Sequence, residues 1–410
     1  MPELKGIGYL KGQLNNKSVR VRTRYRYYEM KNSMEYFSKV IPEKYRWMSG
    51  VLGWSAKAVD SLADRLCFRE FRNDNFALNE IYQMNNADIL FDSAALSALI
   101  SSCCFIYISP DADGYPRLQV IDGGNATGRI DPITGLLYEG YAVLKRSDAG
   151  SPIEEAYFEP GKTTYYRSGT GDGQNMIVSQ IVQHDVDYPL LVPIIFRPDA
   201  VRPFGHSRIS RACMQLQQGA LRTVMRSEVT AEFYSFPQKY VTGLADDAEM
   251  DTYKATISSF LHFSKDEDGD APKLGQFSAA NMSPHVEQLK MFASMFAGET
   301  GLTMDDMGFP TDNPSSSEAI KAAHENLRLA ARKAQRTFGS GFLNAGYLAA
   351  CLRDEFAYQR RQLYLTTPTW APVFEPDAST LSLIGDGLIK FNQAVPGYMT
   401  EEKLKDLTGY

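Results

Sequence analysis

Between Cys104 and Pro198 the spacing of apolar side chains switches from a helical three-to-four to a period of two, and it switches back after Gly205. Alternation at period two means half-buried strands, whereas the 3–4 pattern means amphipathic helices. A chain that changes once each way predicts an antiparallel, β-rich block carried between helical flanks, an α+β class. Within the block, Phe105–Ser109 and Arg117–Ile121 flank Asp111-Ala-Asp-Gly114, a hairpin signal. Further strands are expected at Tyr138–Lys145, Glu155–Phe158, Thr163–Tyr166, Ile177–Gln183 and Leu190–Phe196. Gly169-Thr-Gly-Asp-Gly173 lacks a following Lys-Ser/Thr and opens no helix, so it reads as a hairpin turn rather than a phosphate loop.

Upstream, residues 1–28 hold seven Lys/Arg and one Glu. Arg20, Arg22, Arg24 and Arg26 alternate with other residues, which predicts an extended arm with one basic edge. Residues 42–100 read as helical: Val51, Trp54, Ala58, Leu62 and Leu66 mark one helix, Phe76–Met84 a second and Asp88–Ser101 a buried third. Trp47 and Trp54 are expected to be core anchors.

Downstream, a helix over 205–232 would span about 40 Å. Phe236–Gly243 reads as a strand and turn, and Pro284–Glu299 as another helix. Gly301 ends it, and a loop containing Gly308, Pro310 and Pro314 follows. A structureless connection of that length between two helices is uncommon and usually functional or disordered. Ser315 and Glu318 then form an S-x-x-E capping box ahead of a long Ala-rich helix. Gly339, Gly341 and Gly346 predict a kink or break in it, at about 1 kcal/mol each. Helical pattern resumes to about Tyr364, and a linker with Pro368, Pro372 and Pro376 leads to a small helical unit, Ala378–Tyr410.

The net charge of −6 is local. Asp246, Asp247, Glu249, Asp251, Asp266, Glu267, Asp268 and Asp270, against Lys254 and Lys265, account for all of it, leaving a neutral remainder that does not grip nucleic acid by overall charge. Asp266–Asp270 fails the EF-hand pattern and reads as a solvated acidic loop. The five cysteines and five histidines show no metal spacing, and P-loop, H-E-x-x-H and G-x-S-x-G motifs are absent. No catalytic, cofactor or metal site is expected. No apolar run is long enough for a transmembrane helix, and the basic N-terminus lacks the apolar segment of a secretory signal.

Three patches resemble the portal (head–tail connector) proteins of tailed double-stranded-DNA phages. Val192-Pro-Ile-Ile-Phe-Arg-Pro198 with Phe204-Gly-His-Ser-Arg-Ile209 looks like the family's passage from wing to first stem helix. Asn313-Pro-Ser-Ser-Ser-Glu-Ala-Ile-Lys321 looks like the exit from its tunnel loop, and Val51–Leu66, with Val59-Asp-Ser-Leu-Ala-Asp-Arg-Leu66, resembles a helix near its N-terminus.

The resemblance implies a mixed α/β wing rich in antiparallel strands (1–204), stem helices at 205–232 and 284–301, a small clip at 233–283 and a tunnel loop at 302–315. A long wing helix (316–366) and a short helical crown (367–410) complete it. It further implies a homo-oligomeric ring, usually of twelve subunits, at one capsid vertex of the virion, assembled in the host cytoplasm. Double-stranded DNA would pass through its channel during packaging and ejection. Terminase and a head–tail adaptor would dock on the acidic clip, with major capsid and scaffolding proteins around the ring and no membrane. Met304, Asp305, Asp306, Met307 and Phe309 would face DNA, the carboxylates repelling its backbone and the apolar side chains giving adaptable contact. A plainer reading of Met304, Met307 and Phe309, as anchors of the loop on neighbouring helices, stands beside it. Two other classes stay open at this level: a cytosolic enzyme or ligand-binding protein with a site in the β-rich block, and a phage minor head or scaffold-like protein that forms no closed ring.

Overall fold

The computed structural model describes residues 3–34, 43, 50–169, 175–235, 239–242, 273–276, 281–310, 317–374, 378–401 and 403–404. The chain opens with a helix, α1 (Ile7–Tyr28), and not with the extended arm that the alternating arginines predict. Leu10, Leu14 and Val21 fall on one helical face and are buried. Leu10 and Leu14 seat on Tyr141, Val143 and Tyr157 of the β-rich block. Burial of that stripe decides the conformation, because an extended arm would turn half of it to solvent.

The region 42–100 is less helical than its pattern. Helix α2 (Trp54–Ala63) is followed by strand β1 (Phe68–Arg72), then α3 (Leu78–Gln83) and α4 (Ala87–Ser101). Strand β1 pairs with β12 (Thr367–Trp370), some 300 residues away, in an antiparallel ladder. Phe68 joins an aromatic cluster there, with ring centroids 4.0 Å from Phe91 and 5.2 Å from Trp370. Trp54 is a core anchor, 5.5 Å from Phe296; Trp47 lies outside the described residues.

The β-rich block forms two antiparallel sheets. One has the order β3-β2-β9, from β2 (Cys103–Pro110), β3 (Pro116–Asp122) and β9 (Leu191–Ile195). The expected hairpin is there, with Ile106 opposite Val120. The other is a meander of β4 (Ala126–Ile130), β5 (Leu137–Arg146), β6 (Pro152–Glu159), β7 (Lys162–Ser168) and β8 (Met176–Gln183). Strand β4 was not legible, because Ala126-Thr-Gly-Arg-Ile130 shows no alternation of large apolar residues. Most of the turn Gly169–Gly173 lies outside the described residues.

Two helices then run antiparallel. Helix α5 (Arg211–Ser235) starts six residues later than expected, and α6 spans Ser283–Thr300. Ser210 Oγ donates to Glu299 Oε1 (2.9 Å) and Thr223 Oγ1 to Gln288 Oε1 (3.0 Å), which fixes the antiparallel register. Between them Gly219 meets Phe292, whose ring would lie 2.6 Å from an added Cβ. Strands β10 (Lys239–Thr242) and β11 (Lys273–Gln276) pair antiparallel between the two helices in sequence.

The long wing helix expected over 316–366, with a kink or break at its glycines, is instead α7 (Ser317–Ala323) and α8 (Glu325–Arg353), followed by a 3₁₀ turn (Arg360–Leu363) and β12. The break falls at His324, and the three glycines lie inside an unbroken α8. Each admits a neighbour: an added Cβ would sit 2.7 Å from Pro368 Cγ at Gly339, 2.7 Å from Ile194 Cδ1 at Gly341 and 3.1 Å from Leu78 Cδ1 at Gly346. Close packing there outweighs the propensity cost of about 1 kcal/mol per glycine. Helix α9 (Ala378–Ala394) carries the C-terminal unit.

Candidate functional site

The loop after α6 is held where it leaves the helix. Helix α6 closes on Gly301 in the left-handed conformation (φ 69°), and Leu302 N–H donates to Ala297 O at 3.1 Å, a Schellman-type closure. Buried Leu302 provides its apolar contact.

Immediately afterwards Thr303 and Asp306 cap each other. Thr303 N–H and Oγ1 both donate to Asp306 Oδ2 at 2.9 Å, and Asp306 N–H returns a bond to Thr303 Oγ1 at 3.2 Å. The next turn is closed by Met307 N–H and Phe309 N–H on Met304 O, with Gly308 at φ 84°. Asp306 Oδ2 also meets His324 Nε2 at 3.1 Å, while His324 Nδ1 faces Ile320 O at 2.9 Å. Both ring nitrogens of His324 thus face an oxygen. Burial alone would raise the Asp306 carboxyl; the Thr303 donors and the His324 ring outweigh it and hold the group below the usual carboxylate range.

This geometry changes the reading of the loop side chains. Met307 is buried, and Met304 and Phe309 pack partly buried against the main core, as the anchoring alternative has it. Asp306 is committed to the internal cap and not aimed outward; of the five loop residues Asp305 is the exposed one. Residues 311–316, including Ser315, lie outside the described residues. Glu318 is in the first turn of α7. The acidic set Asp246, Asp247, Glu249, Asp251, Asp266, Glu267, Asp268 and Asp270 also lies outside the described residues.

Below the loop sits a group that the sequence did not single out. Arg208 is buried, its Nε donating to Ala58 O of α2 at 3.2 Å and its Nη2 to Thr300 O at the end of α6. Arg208 N–H donates to Leu99 O of α4 at 2.8 Å. One residue thereby ties the passage into α5 to α2, α4 and the C-terminus of α6. Burial pushes the guanidinium down to about 10, and its acceptors are carbonyls rather than a carboxylate. The neighbouring Gln217 and Gln218 complete the attachment of α5. Gln217 Oε1 accepts from Ser55 N–H (3.0 Å), and Gln218 Nε2 donates to Tyr27 OH (2.9 Å). The pattern Thr303-x-x-Asp306 was readable as a capping box; nothing in Arg208's local sequence announces which carbonyls it reaches.

Among the described residues no three His, Cys, Asp or Glu side chains come together as a metal site. Nor is any helix there long and apolar enough to cross a membrane. Cys103, Cys104, Cys213 and Cys351 are buried free thiols and Cys67 is exposed.

This arrangement, two antiparallel helices joined to a mixed helix-and-strand body with a clamped turn at the end of the second, accords with the family comparison. A model for the family of phage portal proteins, SPP1 Gp6-like, matches residues 7–362, and the chain belongs to that family. It is similar to the portal protein of Mycobacterium phage D29, with 24% identity over 418 residues, 96% of this chain and 83% of that protein. It is also similar to the portal protein of Mycobacterium phage L5, with 25% identity over 407 residues, 94% of this chain and 81% of that one. Among solved structures, a chain from the virion of a native gene transfer agent particle covers 95% of this chain and 99% of its own at 13% identity and TM-score 0.47. A chain from the neck of the same kind of particle, computed with C12 symmetry, covers 87% and 89% at 13% identity and TM-score 0.47.

Proposed function

We propose that this chain assembles into a closed homo-oligomeric ring, of about twelve copies on the family resemblance, at one capsid vertex of a phage virion. Double-stranded DNA passes through the ring during packaging and ejection. Helices α5 and α6 form the stem, and the segment 233–283 forms the clip on which terminase and the head–tail adaptor dock. Residues 302–315 form the tunnel loop, and the chain performs no catalysis of its own. Family membership supports the role. The observation that carries the ring is unpartnered apolar surface on the elements a ring would join. Val286, Met291 and Met295 stand about half exposed on α6, and Ile177, Val178 and Ile181 more than half exposed on the edge strand β8. The clamped base of the loop supports its role, because a loop repeated around a channel needs a fixed origin in each subunit, and here the α6 closure and the Thr303–Asp306 cap provide one. With Met304, Met307 and Phe309 turned to the core, DNA contact falls to Asp305 and the residues beyond Pro310. Negative-stain imaging and native mass measurement of the purified chain test the reading. Closed rings are expected, and a strictly monomeric particle at every concentration and salt would overturn it.

A further inference from the structure

Helix formation in residues 7–28 does something the alternating pattern did not foretell: it gathers Lys17, Arg20 and Arg24 onto one face at i, i+3 and i+7. That face borders a cavity of about 680 Å³ whose opposite walls contribute Arg129 of β4 and Arg202 of the passage toward α5. The volume lies in the class of ligand pockets, roughly 300–1,000 Å³. Among the described residues five cations line it, and no Asp or Glu does.

The carboxylates nearest to these cations are already engaged. Glu139 accepts from Arg129, but also from Lys5 N–H, Gly6 N–H and Tyr157 OH. Asp199 is held by His206 and by the backbone N–H groups of Val201 and Arg202. Among the described residues the Arg24 side chain donates to the Ser101 carbonyl, at 3.2 Å, and Arg202 Nη1 meets the His206 ring, at 3.4 Å. Burial, together with the fields of Arg20 and Arg202, pushes the Arg24 guanidinium below its ordinary value. Lys17 is positioned in advance: its ammonium lies 5.2 Å from the ring centres of both Phe105 and Phe204.

We propose that this groove is a binding site for clustered phosphate oxyanions. Lys17, Arg20, Arg24 and Arg202, with no carboxylate partner among the described residues, exceed what a single carboxylate ligand would neutralise. Guanidinium forks also match the paired oxygens of a phosphate geometrically. The same chemistry is offered by the backbone of duplex DNA and by a free polyphosphate. The site does not depend on ring formation, and particle mass is followed separately so that the two ideas fail separately.

The test uses the purified full chain at about 0.15 M salt, with two probes: tripolyphosphate by titration calorimetry and a short fluorescein-labelled DNA duplex by anisotropy. The groove variant is Arg20→Ala/Arg202→Ala. The control is Arg22→Ala/Arg26→Ala, which removes the same charge from exposed positions outside the groove. The groove variant should weaken binding at least about tenfold and the control less than about twofold. For the duplex, losing two phosphate contacts should flatten the log affinity against log salt slope by about 1.8. Binding of the duplex identifies the DNA backbone as the source. Binding of tripolyphosphate alone identifies a free polyanion, and either supports the site. If wild type binds neither probe, or the control loses as much as the groove variant, the proposal is overturned. It is equally overturned if the groove variant keeps its anion affinity and loses only self-association, since the occupant is then another protein surface. Tripolyphosphate should also raise the melting temperature of the wild-type chain, a readout that stands if the double variant does not fold.

Discussion

Replacing Arg208 with Met tests whether one buried cation joins α2 to the C-terminus of α6. The side chain donates to two carbonyls on different helices, Ala58 O of α2 and Thr300 O of α6. Methionine fills much of the volume and offers neither donor. Each stranded carbonyl costs about 1–3 kcal/mol. Part of that is offset because the desolvation of the guanidinium, visible in its lowered value, no longer has to be met. The net expectation is a loss of about 2–4 kcal/mol, concentrated at the end of α6. Lysine should fall between the two, since a single ammonium reaches one carbonyl where the planar fork reaches both. Urea unfolding followed through Trp54, which packs 5.5 Å from Phe296 of α6, reports the total. Hydrogen exchange at Leu302, Met307 and Phe309, whose amides are bonded in the native loop, reports the local part. An Arg208→Met protein within about 0.5 kcal/mol of wild type, with unchanged exchange at these amides, would refute the clamp.

Three further perturbations follow from the same geometry. Glu139, fully buried, is raised by burial but held below the usual carboxylate range by Lys5 N–H, Gly6 N–H, Arg129 and Tyr157. Its folded value is therefore below the unfolded ~4.3, so its stabilisation is present above that pH and is lost as pH falls through the folded value. The melting-temperature gap between wild type and Glu139→Gln should be widest near neutrality and close in acid; a gap constant down to about pH 3 contradicts this. Gly205→Ala places a Cβ 2.0 Å from Phe196 O at φ 74°, and should cost at least about 2 kcal/mol, read as lost soluble yield or a lowered melting temperature. Thr303→Val removes the two hydroxyl bonds of the reciprocal cap, leaving the backbone one, and should cost about 1 kcal/mol, raising amide exchange at Asp306 while particle mass stays unchanged; equal exchange would show the turn is held from elsewhere.

Local chemistry was enough for much of this chain. The Asp111–Gly114 hairpin, the strands from β5 to β9, and α6 with its Gly301 stop follow from periodicity and turn residues within a dozen positions. The order of these elements also carried the family resemblance. Tertiary structure decided the rest wherever a distant partner outweighed a local preference. Residues 7–28 are helical because Leu10 and Leu14 find Tyr141 and Tyr157, while Glu139 fixes the chain just ahead of the helix through the N–H groups of Lys5 and Gly6. Strand β1 exists because β12 pairs with it, and a five-residue segment has no ladder of its own. Helix α8 runs through Gly339, Gly341 and Gly346 because β12, β9 and α3 approach where a Cβ would stand. Asp306 and Met307 turn inward because His324 and the core receive them. In each case the deciding contact spans more sequence than any periodicity can report, and its energy exceeds the propensity it overrides.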